Sequence, residues 1–111
     1  MPAVARGDSV DAVQAPHGTG PNCASPEVYS TDKCSSNVFV NGIGVVREND
    51  AMISHSTVGC TSHAPLLLSF SSKVYVNGKR MGRVGDEYIG DGNHPIISGS
   101  SNVVDGSPKT S

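Results

Sequence analysis

Four histidines and three cysteines, His17, His55, His63, His94, Cys23, Cys34 and Cys60, are the residues of this chain best suited to hold a metal ion. Structural zinc takes four tetrahedral ligands from Cys and His, and a Cys-x-x-His pair lets one turn of backbone supply two of them. Cys60-Thr61-Ser62-His63 has that spacing. His17 lies nine residues after Asp8, Cys60 and His63 ten and thirteen after Asp50, and His94 eight after Asp86. Three units would then bring one, two and one ligands to a common point, a site of His17, Cys60, His63 and His94. His55, five residues past Asp50 and without a counterpart in the other units, is the rival ligand and stands outside the set. Cys23 and Cys34 receive no function. Free thiols are the default for a protein made in a cytoplasm, with a late-formed disulfide or a second half-site as the open alternatives.

A closed set of four ligands holds structure in place rather than doing catalysis, because catalytic zinc keeps a position open for water beside a general base. Neither His-Glu-x-x-His nor His-x-Glu occurs, and Gly-x-Ser-x-Gly and a Walker-type phosphate loop are also missing. The expectation is a protein that is not an enzyme, and a metallohydrolase is the minority reading. Zinc is the expected ion, with iron next because imidazole suits it as well.

The elements that must position these ligands are visible as an internal repeat. Ser35-Ser36-Asn37-Val38-Phe39-Val40-Asn41-Gly42 returns 36 residues later as Ser71-Ser72-Lys73-Val74-Tyr75-Val76-Asn77-Gly78, and a worn copy, Ser100-Ser101-Asn102-Val103-Val104-Asp105-Gly106, follows. Alternating apolar residues before Asn-Gly predict hairpins, with return strands over Ile43 to Arg47 and Lys79 to Val84. An Arg followed by an Asp closes each unit: Arg47 to Asp50, Arg83 to Asp86 and, at the start, Arg6-Gly7-Asp8. The phase is that of three copies of one unit, the chain ends cutting through the third. Residues 9–33, rich in Gly, Pro, Ser and Asn, read as a long loop, as do 49–69 and 86–94. Such units predict an all-β, pseudo-three-fold domain over residues 1–106, closed about an axis with its loops converging at one end. Residues 107–111 read as a polar, mobile tail.

Bulk properties narrow the function classes. The 111 residues suffice for one domain, and with 36% hydrophobic residues and no Trp little apolar surface is available to bury. A metal, an oligomeric partner or both must help to hold it. The formal net charge is −2 and no run of Lys or Arg exceeds two, which argues against nucleic acid as a partner. No basic start with an apolar stretch marks a signal peptide, so synthesis in a cytoplasm is expected.

The same residues resemble the PAAR-repeat family. Pro2-Ala3-Val4-Ala5-Arg6-Gly7-Asp8 is close to the element that names it, and Gly44 to Asp50 and Arg80 to Asp86 are eroded versions that keep Arg and Asp. His17-Gly18 is similar to the family's first His-Gly turn, Cys60-Thr61-Ser62-His63 to its Cys-x-x-His, and Ser98-Gly99-Ser100-Ser101-Asn102-Val103 to its last strand. His94-Pro95 stands where many members have Cys-Gly. The resemblance spans the whole chain. It implies a small cone with a zinc ion near its tip, bound by His17, Cys60, His63 and His94. The base would cap a homotrimeric β-helical central spike, one copy per spike, and the tip would meet the target-cell membrane. The resemblance implies a virion location on the baseplate of a contractile phage tail or, alternatively, a type VI secretion spike tip secreted from the bacterial cytoplasm. Without an appended effector domain the chain reads as a bare tip. A small zinc-stabilised protein-binding module is the alternative from another class.

Overall fold

A computed structural model describes residues 1–111. Thirteen short strands follow one another: β1 (Ala12–Thr19), β2 (Ser25–Ser30), β3 (Phe39–Val40), β4 (Ile43–Gly44), β5 (His55–Ser56), β6 (Ser62–His63), β7 (Leu66–Leu67), β8 (Phe70–Ser71), β9 (Tyr75–Val76), β10 (Lys79–Arg80), β11 (Glu87–Ile89), β12 (Asn93–Pro95) and β13 (Lys109–Thr110). A single 3-10 turn, Pro21–Cys23, is the only helical element. The all-β expectation holds, and the molecule is elongated, 39 × 25 × 22 Å along its principal axes.

Its centre is a ring of three backbone hydrogen bonds. The Ala5 N–H donates to the Gly82 carbonyl (3.0 Å), the Gly82 N–H to Val46 (2.8 Å) and the Val46 N–H to Ala5 (3.1 Å). Antiparallel bridges Arg6↔Val45, Arg47↔Met81 and Val4↔Arg83 complete the cycle, each unit pairing with the next. Alternate residues of an extended chain point to opposite sides, so each segment feeds two cores. Val4, Val45 and Met81 pack with Val76 on one side, whereas Ala5 and Val46 pack with Val13, Met52, Leu67, Phe70, Tyr88 and Ile96 on the other. Gly82 occupies the third ring position, where an added Cβ would lie 2.8 Å from Leu67 Cδ2.

The predicted hairpins form with both central turn residues at positive φ, Asn41 (54°) with Gly42 (79°) and Asn77 (56°) with Gly78 (77°). That is the I′ turn whose twist suits flanking strands, and Asn-Gly is the pair that adopts it most readily. Before each hairpin a serine hydroxyl accepts from two backbone N–H groups: Ser35 from Asn37 and Val38, Ser71 from Lys73 and Val74, Ser100 from Asn102 and Val103. The third hairpin is built from both chain ends, Ala3 bridging Val104 and the Asp105 N–H donating to Pro2 (2.9 Å).

Each repeat also carries one forked ion pair. The Arg backbone N–H and Nε reach Asp Oδ2 and the far guanidinium nitrogen reaches Oδ1, in Arg47–Asp50 and Arg83–Asp86. In the first unit the partner is Asp11 and not Asp8. Asp8 and Ser9, both at positive φ, form a two-residue insertion that moves the acidic residue further along the chain.

The three expected loops and the tail all acquire structure: 49–69 carries β5, β6 and β7, and 86–94 carries β11 and most of β12. Residues 9–33 form the long β1–β2 hairpin, with Ala12 opposite Ser30 and Thr19 opposite Ser25. The polar tail is held as well: β13 pairs with β8, and the Ser107 carbonyl accepts from Arg83 at 2.6 Å. Backbone hydrogen bonding, invisible in composition, accounts for these differences.

Candidate metal centre

Along β1 the inward positions are Val13, Ala15 and His17, all buried. At about 3.3 Å per residue the strand carries His17 roughly 13 Å beyond Val13, on the side of the ring that holds the larger core. His55 and His63 are a cross-strand pair of β5 and β6, and His94 stands opposite Tyr88 in the β11–β12 hairpin. The four imidazoles converge, with one potential ligand atom from each lying within 4.8 Å of all the others. His17, His55 and His94 are buried and His63 is partly exposed. Tyr29 of β2 stacks on His55 with ring centres 4.7 Å apart. Gly18 must be glycine for this arrangement, since its φ is 136° and a Cβ would strike the Tyr29 ring.

The nitrogens are poised for a cation. His55 Nδ1 lies 3.2 Å from the Ile53 carbonyl and His94 Nδ1 lies 3.1 Å from the Gly92 carbonyl. A carbonyl only accepts, so both Nδ1 atoms carry the proton and both Nε2 atoms present lone pairs. Those lone pairs sit 3.1 Å apart, and His63 Nε2 is 2.8 Å from His55 Nε2. One proton on His63 can serve only one of them. His17 has neither ring nitrogen hydrogen-bonded although both are buried. Buried polar atoms without partners are costly, and one cation at the centre would satisfy all four rings. Tetrahedral zinc at its usual bond length separates its ligand nitrogens by roughly 3.3 Å, inside the range found here.

The electrostatics point the same way. Burial, then the neighbouring His55, holds the His94 imidazole down to about 4. Burial also lowers His55, and burial followed by His55 and His17 lowers His63. Burial thus favours the neutral form of His55, His63 and His94, the form in which imidazole binds a metal.

Of the four ligands expected from the sequence, the structure brings together His17, His63 and His94 and not Cys60. Cys60 forms a disulfide with Cys23, and a disulfide sulfur is not the thiolate that ligates metal. His55 takes the fourth place. Its exclusion rested on counting from Asp8. Counted from the paired aspartates Asp11, Asp50 and Asp86, the histidines at 17, 55 and 94 fall six, five and eight residues on, so His55 is the counterpart of the other two. Cys34 is a free, partly buried thiol whose pKa is raised by burial and by the charges of Asp8 and Asp50.

The chain matches no known family model and no curated protein significantly.

Proposed function

We propose that this chain is a non-enzymatic, metal-pinned tip domain of the PAAR-repeat kind, capping a homotrimeric β-helical spike of a contractile injection machine, with a phage tail favoured over a type VI apparatus. The observation that carries the metal half of the reading is the meeting of three imidazole Nε2 atoms around a fourth ring, His17, whose buried nitrogens have no other partner. His17, His55, His63 and His94 would hold one ion, zinc before iron. A bound ion would supply one more cross-link among the three hairpins, tying β11–β12 to the two that the Cys23–Cys60 disulfide already joins. The chain's own residues do the rest: the Ile53 and Gly92 carbonyls fix two ring orientations, Tyr29 packs one ring in place, and the larger core holds up the strands that carry them.

The opposite end supports the docking half. Four residues after Ser35, Ser71 and Ser100 come Phe39, Tyr75 and Val104, which are 57%, 54% and 49% exposed. Exposed large apolar side chains at three equivalent positions suit a three-fold symmetric apolar partner surface, and covering them would offset the modest core of so small a domain. A small binding module that used the metal end would leave this face without a purpose.

Elemental analysis of protein purified without added metal tests the reading. About one zinc per chain is expected in wild type and in Cys60→Ser, and none in His55→Ala or His94→Ala. Absence of stoichiometric metal from wild type would remove the pinned tip, and metal lost in Cys60→Ser but kept in His55→Ala would restore the ligand set drawn from the sequence.

A further inference from the structure

We infer that the Cys23–Cys60 disulfide is a redox latch on the four-histidine site, controlling how fast an ion enters or leaves; the inference rests on the metal reading above. The bridge spans 37 residues of sequence and joins the turn between β1 and β2 to the turn between β5 and β6. Those two hairpins carry three of the four histidines, His17 on one and His55 and His63 on the other. Outside the disulfide their turns are joined by little: the Gly59 N–H donates to the Asn22 carbonyl at 2.8 Å. Asn22, Cys23 and Cys60 all have positive φ, at 60°, 55° and 62°, which side-chain-bearing residues adopt at a cost. Severing the bridge would release backbone that the bridge holds in place.

Access agrees with a latch. His17, His55 and His94 are buried while His63 is partly exposed, so His63 is the open side of the site. Cys60 lies three residues before His63 and is itself exposed. A small dithiol can therefore reach it. Its thiolate would attack Cys60 Sγ, the Cys23–Cys60 bond would break, and Cys23 would leave as a thiolate that takes up a proton. The second thiol of the reagent would then displace Cys60 as a thiol and close the reagent's own disulfide, two electrons passing to the protein. Residues 57–61 would then be free to swing, taking His63 with them. Oxidation outside a reducing compartment would set the site closed, and a reducing one would let the ion exchange.

The test uses the full chain loaded with zinc and diluted into excess chelator, with release followed over time. The forms compared are the oxidised wild type, the wild type reduced by a non-metal-binding phosphine, and Cys23→Ser/Cys60→Ser. Release at least about tenfold faster in both disulfide-free forms is expected, the opening of a local segment replacing a wider one. Cys34→Ser, which keeps the bridge, should release zinc as the oxidised wild type does. Equal release rates with and without the bridge would overturn the latch and leave the metal site standing. An oxidised wild type that binds no zinc would overturn both. Three alkylatable thiols in protein kept under air would overturn the latch by itself.

Discussion

The two ends of the molecule are built on different principles. Around the ring of Ala5, Val46 and Gly82 every interaction occurs three times: the ring bonds, the serine-capped turns and the forked Arg–Asp pairs. At the histidine end the supporting elements differ, and the shared features are the convergence and the contact of His55 and His94 Nδ1 with the carbonyl two residues before. His17 arrives on a long hairpin, His55 and His63 on a two-strand loop, and His94 on a three-stranded sheet. Repetition fixes the axis, and departures from repetition are free to build the site. The contrast also has an internal version, because the three ion pairs are chemically alike but unequally placed. Arg83 and Asp86 are almost wholly buried, and Arg83 also reaches Asp105 at 3.2 Å, whereas the Arg6 and Arg47 side chains are 19% and 17% exposed.

The largest effect should follow from that inequality. Arg83→Ala leaves Asp86 and Asp105 buried without their cation, which costs about 3–5 kcal/mol in comparable buried pairs. Arg6→Ala and Arg47→Ala leave carboxylates beside more accessible space and should cost clearly less. Urea denaturation of the three variants measures the difference. Equal losses would mean that the three units are energetically equivalent and that the burial of the third is immaterial.

The same contrast explains what was legible in the sequence. The hairpins at Asn41-Gly42 and Asn77-Gly78 and the three-unit phase could be read because they depend on local turn chemistry repeated at a fixed spacing. The β1–β2 hairpin could not, since its strand Ser25–Ser30 is largely exposed and has no apolar alternation to mark it. Three of the four histidines were found from their phase. His55 is hidden in the sequence because Asp8 stands where the repeat's aspartate is expected, and only the fork between Arg6 and Asp11 shows which carboxylate is the counterpart. Cys60 reads as a ligand because Cys-x-x-His spacing says nothing about a partner 37 residues away, and Cys23 is that partner.

A smaller effect separates the two ends by pH. Without metal, burial keeps His55, His63 and His94 below their ordinary values, His94 at about 4. The unfolded chain titrates these groups near 6.5. Between those values it binds more protons than the folded chain, so stability rises with pH, is fully present above about 6.5, and is lost as pH falls toward 4. The metal-free wild type should lose denaturation midpoint over that window, and His94→Gln should lose less. A His94→Gln curve parallel to wild type would show that the site makes no contribution to the acid sensitivity and that carboxylates of the repeated end dominate it.

The subtlest test works inside the repeated end. Asn41 and Asn77 each accept from the arginine of the unit and from a serine hydroxyl, and donate to Asn102 and Asn37 in turn. In the third unit the equivalent of those asparagines is Asp105, and the residue two places after the serine is Lys73 instead of asparagine. Desolvation pushes the Asp105 carboxyl up, but hydrogen bonds from Ser71 and Ser107 and the charge of Arg83 outweigh it and hold the group below the usual carboxylate range. The acid and the lysine stand, in the third unit, at the two positions where Asn77 donates to Asn37 in the second. Installing Asp alone as Asn77→Asp removes the hydrogen bond to Asn37, and Lys alone as Asn37→Lys removes its acceptor. The double variant Asn37→Lys/Asn77→Asp recreates the third unit's combination beside Arg47. A double-mutant cycle should return a favourable coupling of about 0.5–1 kcal/mol, the scale expected of neighbouring polar residues. Strict additivity would mean that the lysine in the third unit is unrelated to its aspartate, and that the units differ there by drift instead of by compensation.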